Sequence, residues 1–113
     1  MRIIPDLVVA DMDAAAAFYA GFLGLAREDL GLGWVTRYLA PNGTNLQVLT
    51  EDASGPIAPE VSIAVDDVDE AYAEALSRGL EIVHPLTTED WGVRRFFVRD
   101  PDGHVLNILQ HRE

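Results

Sequence analysis

The chain has no cysteine and no lysine, and its only basic side chains besides three histidines are eight arginines. The absence of cysteine excludes disulfides, thiol nucleophiles and cysteine-bound metal. Nineteen acidic residues against those eight give a formal net charge of -11, so no basic stripe is available to neutralise phosphates. A nucleic-acid partner is therefore not expected. No apolar run approaches the length of a membrane span, and the first residues lack the basic and apolar regions of a signal peptide. The expectation is a cytoplasmic protein with no membrane partner. There is also no Gly-rich phosphate loop and no nucleophile elbow for serine chemistry. Arginine without lysine, beside abundant alanine, points to a GC-rich bacterial genome.

What is present is a core-forming composition. Hydrophobic residues make up 49% of 113 positions, which argues against disorder and fits a single domain spanning 1–113. The acidity either keeps the protein dispersed or draws a cationic ligand, and both readings stay open.

The chain also repeats itself. Pro41-Asn42-Gly43-Thr44-Asn45-Leu46-Gln47-Val48-Leu49 returns about sixty residues later as Pro101-Asp102-Gly103-His104-Val105-Leu106-Asn107-Ile108-Leu109. Upstream, Val9-Ala10-Asp11-Met12-Asp13 is echoed by Val65-Asp66-Asp67-Val68-Asp69, and the runs that follow close on Gly24-Leu25 and Gly79-Leu80. Such internal similarity marks two copies of one structural unit. Residues 1–51 form the first, 52–59 a linker containing Ser54-Gly55-Pro56, and 60–113 the second.

Each copy reads as β-α-β-β-β. A strand over Ile3–Val9 precedes a helix capped by Asp11 and running to about Leu23, with Ala15, Phe18, Tyr19 and Phe22 on one face. A weak strand near Arg27–Leu30 is followed by a hairpin of 32–40 and 44–50 about Asn42-Gly43. In the second copy, Glu60–Val65 alternates as a strand. Asp67 caps a helix with Glu70 in capping-box spacing, its apolar face being Val68, Ala71, Tyr72, Ala75 and Leu76. Strands at about Glu81–Pro85, Val93–Arg99 and His104–Gln110 complete it. Strand alternation turns Leu46, Val48, Leu106, Ile108, Val61, Ile63 and Val65 toward the helices. The other face then carries Ile4, Asp6 and Val8; Asn45, Gln47 and Leu49; Glu60, Ser62 and Ala64; and Val105, Asn107 and Leu109.

The ordered set of Phe18-Tyr19, Leu23-Gly24-Leu25 and Arg99-Asp100-Pro101-Asp102-Gly103-His104, within this duplicated unit, resembles the vicinal oxygen chelate superfamily. That group includes glyoxalase I, bleomycin-resistance proteins and extradiol dioxygenases. The resemblance implies an α+β fold, with two tandem βαβββ units forming a curved mixed sheet with an open cleft. It also implies paired subunits, hence a homodimer. Metal-dependent relatives place ligands on the first and last strand of each unit, at positions matching Ile4, Gln47, Glu60 and Asn107 here. Isoleucine cannot ligate and neutral amides bind divalent ions poorly, so no metal cofactor is expected.

The polar groups on that face are the candidate ligand contacts: Asp6, Asn45, Gln47, Glu60, Ser62 and Asn107. Trp34 and Trp91 stand near the starts of equivalent strands, where they stack on a flat ligand or simply pack. Arg94 and Arg95 are adjacent on one strand, so one of them faces the cleft; Arg94 joins the candidate set, against the alternatives of a solvated edge or dimer contact. Glu60 is the candidate catalytic acid or base. His84, His104 and His111 match no ligand position. Two functions follow: a metal-free binding protein of the bleomycin-resistance type that sequesters a small organic molecule, or an isomerase or lyase using Glu60 or a metal.

Overall fold

The computed structural model describes residues 1–111 of the chain. Its architecture is α+β, and the order of elements is that of the repeat. β1 (Arg2–Val8), helix α1 (Met12–Ala16, continuing as a π-helical segment Ala17–Phe22), β2 (Ala26–Asp29), β3 (Val35–Leu39) and β4 (Asn45–Leu49) come first. β5 (Val61–Ala64), α2 (Val68–Ser77), β6 (Ile82–Thr88), β7 (Val93–Arg99) and β8 (Val105–His111) follow. Internal contacts gather Ile4–Ala53 into one compact unit and Met1–Ile3 with the chain from Ser54 onward into another. Ser54 to Pro59, expected as linker, thus groups with the second unit.

In the first unit the strands run in the order β2-β3-β4-β1, antiparallel except for the parallel β1–β4 pair. The second repeats this as β6-β7-β8-β5, with β5 parallel to β8. Parallel closure follows from the βα crossover, which returns the chain to the same end of the sheet. The repeated turn is built alike in both copies: Gly43 at φ 88° and Gly103 at φ 90° adopt a conformation that side chains resist.

Each helix covers one sheet face. Val68 and Ala75 of α2 pack on Phe96 and Val98, with Tyr72, Leu106 and Ile108 around them. Ala15 of α1 meets Tyr38 and Val48, flanked by Tyr19, Ala20 and Leu46. The side-chain oxygen of Asp67 accepts from the Glu70 amide at 3.0 Å, and that of Asp11 accepts from Asp13 at 2.8 Å, as the capping signals imply. A cap that sequence gave no hint of comes from Gln110, whose Oε1 accepts the Val68 amide at 3.0 Å.

Two expectations about the helices need correction. Leu76, placed on the apolar face of α2, is 54% exposed. In the first helix Phe18 and Phe22 point outward, at 50% and 73% exposure, while Tyr19 and Ala20 turn inward. The reason is the π turn: the Leu23 amide donates to the Phe18 carbonyl five residues back, at 3.0 Å. That wider turn rotates every later side chain away from its α-helical position. Phe18 and Phe22 instead pack on one another, with ring centroids 5.4 Å apart.

β6 is longer than expected and runs straight through Pro85. Its ladder with β7 slips between Ile82 and His84, and again between His84 and Thr87. A proline is tolerated where bulges already break the ladder. This slip decides where His84 lies.

Candidate functional site

Register places one lateral row of side chains on the helix-free face of each unit. In the second unit the row is His84, Phe97, Asn107 and Ser62, read across β6, β7, β8 and β5. In the first it is Glu28, Arg37, Gln47 and Asp6, across β2, β3, β4 and β1. Gln47 and Asn107, singled out by the repeat, sit at the same place in the two rows. The chemistry around them has diverged.

In the first unit Arg37 reaches back to Glu28, Nη1 to Oε1 3.2 Å, with its side chain 13% exposed. The Nε of Arg37 and the Oδ1 of Asn45 are buried without a hydrogen-bonding partner among the described residues. Asp6 is buried, Gln47 and Asn45 half-buried, and Trp34 half-buried just before β3.

The second unit holds a denser polar cluster. Asn107 donates from Nδ2 to the Ser62 hydroxyl at 3.1 Å, and both residues are buried. One strand away Arg95 is 1% exposed, its guanidinium 4.7 Å from the Phe97 ring centroid and 5.1 Å from that of Trp91. Its Nη2 donates to Ser54 Oγ at 3.0 Å, and Trp91 Nε1 donates to the same oxygen at 3.0 Å. Glu89, in the turn between β6 and β7, lies 3.6 Å from Arg95 Nε and 3.0 Å from His84 Nε2. A carboxylate there fixes the imidazole tautomer, because Nε2 must carry the proton it donates. The His84 ring rests 5.0 Å from Phe97. A buried cation is tolerated here because one carboxylate, one hydroxyl and two ring faces surround it.

The candidate residues therefore separate. Asn107, Ser62 and Trp91 belong to this cluster or its row. Arg94 does not. It lies on the face that carries α2 and clasps Asp69, Nη2 to Oδ1 2.8 Å, so the arginine on the helix-free face is Arg95. Glu60 is exposed, and its Oε2 accepts the Val105 amide at 2.9 Å, a strand-start contact rather than a position in a dry pocket. Sequence reasoning missed Glu89, set His84 aside as matching no ligand position, and left open which of Arg94 and Arg95 faces this side. Counting back from the Asp100–Gly103 turn pairs Arg99 with Val105, hence Arg95 with Leu109, which already stood on the helix-free face.

Outside the cluster, His104 and Asp100 form an exposed pair, Nδ1 to Oδ2 2.8 Å. The hydrogen bond to Asp100 holds the imidazole above its ordinary value, helped by the charges of Asp100 and Glu60. Removal from water alone would raise the Asp100 carboxyl. Hydrogen bonds from the His104 side chain and the His104 and Asp102 amides outweigh that and keep it low.

The four positions at which metal-dependent relatives hold an ion do not fit one here. Ile4 is 1% exposed and has no ligating atom, Gln47 and Asn107 are amides, and Glu60 is engaged with a backbone amide. Among the described residues no three His, Cys, Asp or Glu side chains gather as a metal site. No helix among them is long and apolar enough to cross a membrane.

Residues 4–108 match the family model for the Glyoxalase/Bleomycin resistance protein/Dioxygenase superfamily. The chain belongs to this superfamily. Among characterised relatives it is 29% identical, over 95% of its own length and 90% of the other's, to a bleomycin resistance protein of Klebsiella pneumoniae. A solved structure from Legionella pneumophila, described as an NAD-dependent benzaldehyde dehydrogenase, shares the fold with a TM-score of 0.79. The two are 22% identical over 97% of this chain and 99% of that one. A superfamily member from Vibrio splendidus 12B01 does so with a TM-score of 0.69, at 16% identity over 97% of each chain.

Proposed function

We propose that this superfamily member binds a small organic molecule against the helix-free sheet face, without a metal at the four family positions, and acts by sequestration. The observation that carries the reading is Asn107, whose amide oxygen is buried and has no hydrogen-bonding partner among the described residues. A folded chain retains such an acceptor at a stability cost, and a ligand that supplies the missing donor removes it. Likeness to a bleomycin resistance protein supports sequestration of a drug, and the net charge of -11 favours a cationic one. A homodimer is part of the same reading. The test is a calorimetric screen of the full chain against antibiotics and other organic cations. Saturable binding that weakens in Asn107→Ala supports it; equal affinity in that variant refutes the placement.

A second reading is favoured by one observation, the imidazole–carboxylate pair of His84 and Glu89. Such a pair is the standard arrangement of a general base oriented by an acid. If the chain is an isomerase or lyase, its rate is lost in His84→Gln and survives in Glu60→Gln. The opposite pattern returns the role to Glu60.

A further inference from the structure

The second unit's row shows which hydrogen-bonding sense its ligand must have, an inference that rests on the ligand-binding reading above. Asn107 is 6% exposed, and its two amide atoms differ in fate. Nδ2 donates to Ser62 at 3.1 Å, while Oδ1 has no partner among the described residues. What this residue has left to offer is an acceptor. At the other end of the row, His84 gives its Nε2 hydrogen to Glu89, and its side chain keeps 14% exposure. In the neutral ring the remaining nitrogen, Nδ1, is also an acceptor. The cation of the cluster is not on offer in the same way. Arg95 is 1% exposed and engaged with Glu89, Ser54 and two aromatic faces. An anionic or purely accepting ligand would find no matching group at Asn107.

We propose that the ligand presents an N–H donor, as in a primary carboxamide or an amidinium, to Asn107 Oδ1, and that it extends along the row toward His84. Asn107 and His84 stand two strands apart, about 10 Å at the spacing of neighbouring strands. A ligand with donors at both ends over roughly that length satisfies both acceptors. One with a single donor satisfies Asn107 alone.

The probes are benzamide, benzamidine and methyl benzoate, titrated into the full isotope-labelled chain while side-chain amide and backbone signals are followed by NMR. Benzamide is expected to bind about tenfold more tightly than methyl benzoate, which carries the same ring and carbonyl but no donor, and to shift the Asn107 side-chain amide. Asn107→Leu should reduce the affinity for benzamide about tenfold and leave that for methyl benzoate within about twofold. Should that variant fail to fold, Asn107→Asp keeps the acceptor and must favour benzamidine over benzamide. Equal binding of the two neutral probes near Asn107, or tighter binding of methyl benzoate, overturns the donor assignment and leaves the ligand-binding reading standing. If none of the three probes moves a signal of β5, β7 or β8, both are overturned.

Discussion

Replacing Arg95 by methionine removes a buried cation and leaves the Glu89 carboxylate with His84 as its remaining side-chain partner among the described residues. At 3.6 Å and an effective dielectric near 20, the Arg95–Glu89 attraction is roughly 4–5 kcal/mol before desolvation is subtracted. Removing one member of a buried pair usually costs about 3–5 kcal/mol, because the other keeps its desolvation penalty without its compensation. Glu89→Leu strands Arg95 instead, but the Ser54 hydroxyl and two ring faces still hold that cation, so the lower end, about 3 kcal/mol, is expected for it. Arg95→Met also loses the Ser54 hydrogen bond and two aromatic faces, and should cost about 4 kcal/mol or a little more. The double variant puts apolar groups in both places and should cost well below the sum, giving a coupling of about 2–3 kcal/mol. For a domain of this size, 4 kcal/mol lowers Tm by roughly 12–20 °C. The assay is urea unfolding followed by tryptophan fluorescence for the four members of the cycle, with unchanged slopes confirming a common two-state transition. Additivity within about 0.5 kcal/mol would refute the claim that this pair acts as a unit.

Other expectations are simpler. Asp67→Ala removes the α2 cap and should cost about 1 kcal/mol by urea unfolding. His104 should titrate above 6.5 by NMR, and Asp100→Asn should bring its midpoint back down. The sign follows from linkage. The His104 contribution is complete below 6.5 and disappears as pH rises through the raised folded value; that of Asp100 is complete above 3.8 and disappears as pH falls through its lowered value. The pair therefore helps most in mildly acid solution. Phe22→Ser should change stability by less than about 0.5 kcal/mol, whereas Phe96→Ala in the core should cost about 3–5 kcal/mol. Protein loaded with nickel, manganese or zinc and then desalted should retain far less than one equivalent by elemental analysis, with Tm unmoved.

The strands and their faces were legible because alternation is strict where one face meets a helix. Leu106 and Ile108 pack against α2 while Val105, Asn107 and Leu109 turn away, as the sequence pattern requires. The same logic gave no answer on β7, where Arg95, Phe96, Phe97 and Val98 are all buried and nothing alternates. The π turn was invisible for a different reason. Ala15, Phe18, Tyr19 and Phe22 fit an α-helical face so well that only the backbone bond from Leu23 to Phe18 reveals otherwise. Half of the candidate site was readable from the duplication, which marks Gln47 and Asn107 as equivalent. The His84–Glu89–Arg95 group was not, because it depends on β6 continuing past Pro85 with two slips of register, and proline ordinarily argues that a strand has ended.

Those slips have a consequence for the chain's behaviour in a crowded solution. β6 ends the ladder of the second unit, and an uninterrupted outer strand is a template on which another chain can add itself. Pro85 has no amide hydrogen to offer a newcomer, and the slips of register on either side of His84 leave no straight run of donors and acceptors to copy. The irregularity that carries His84 to its place beside Glu89 thus also makes this strand a poor nucleus for aggregation.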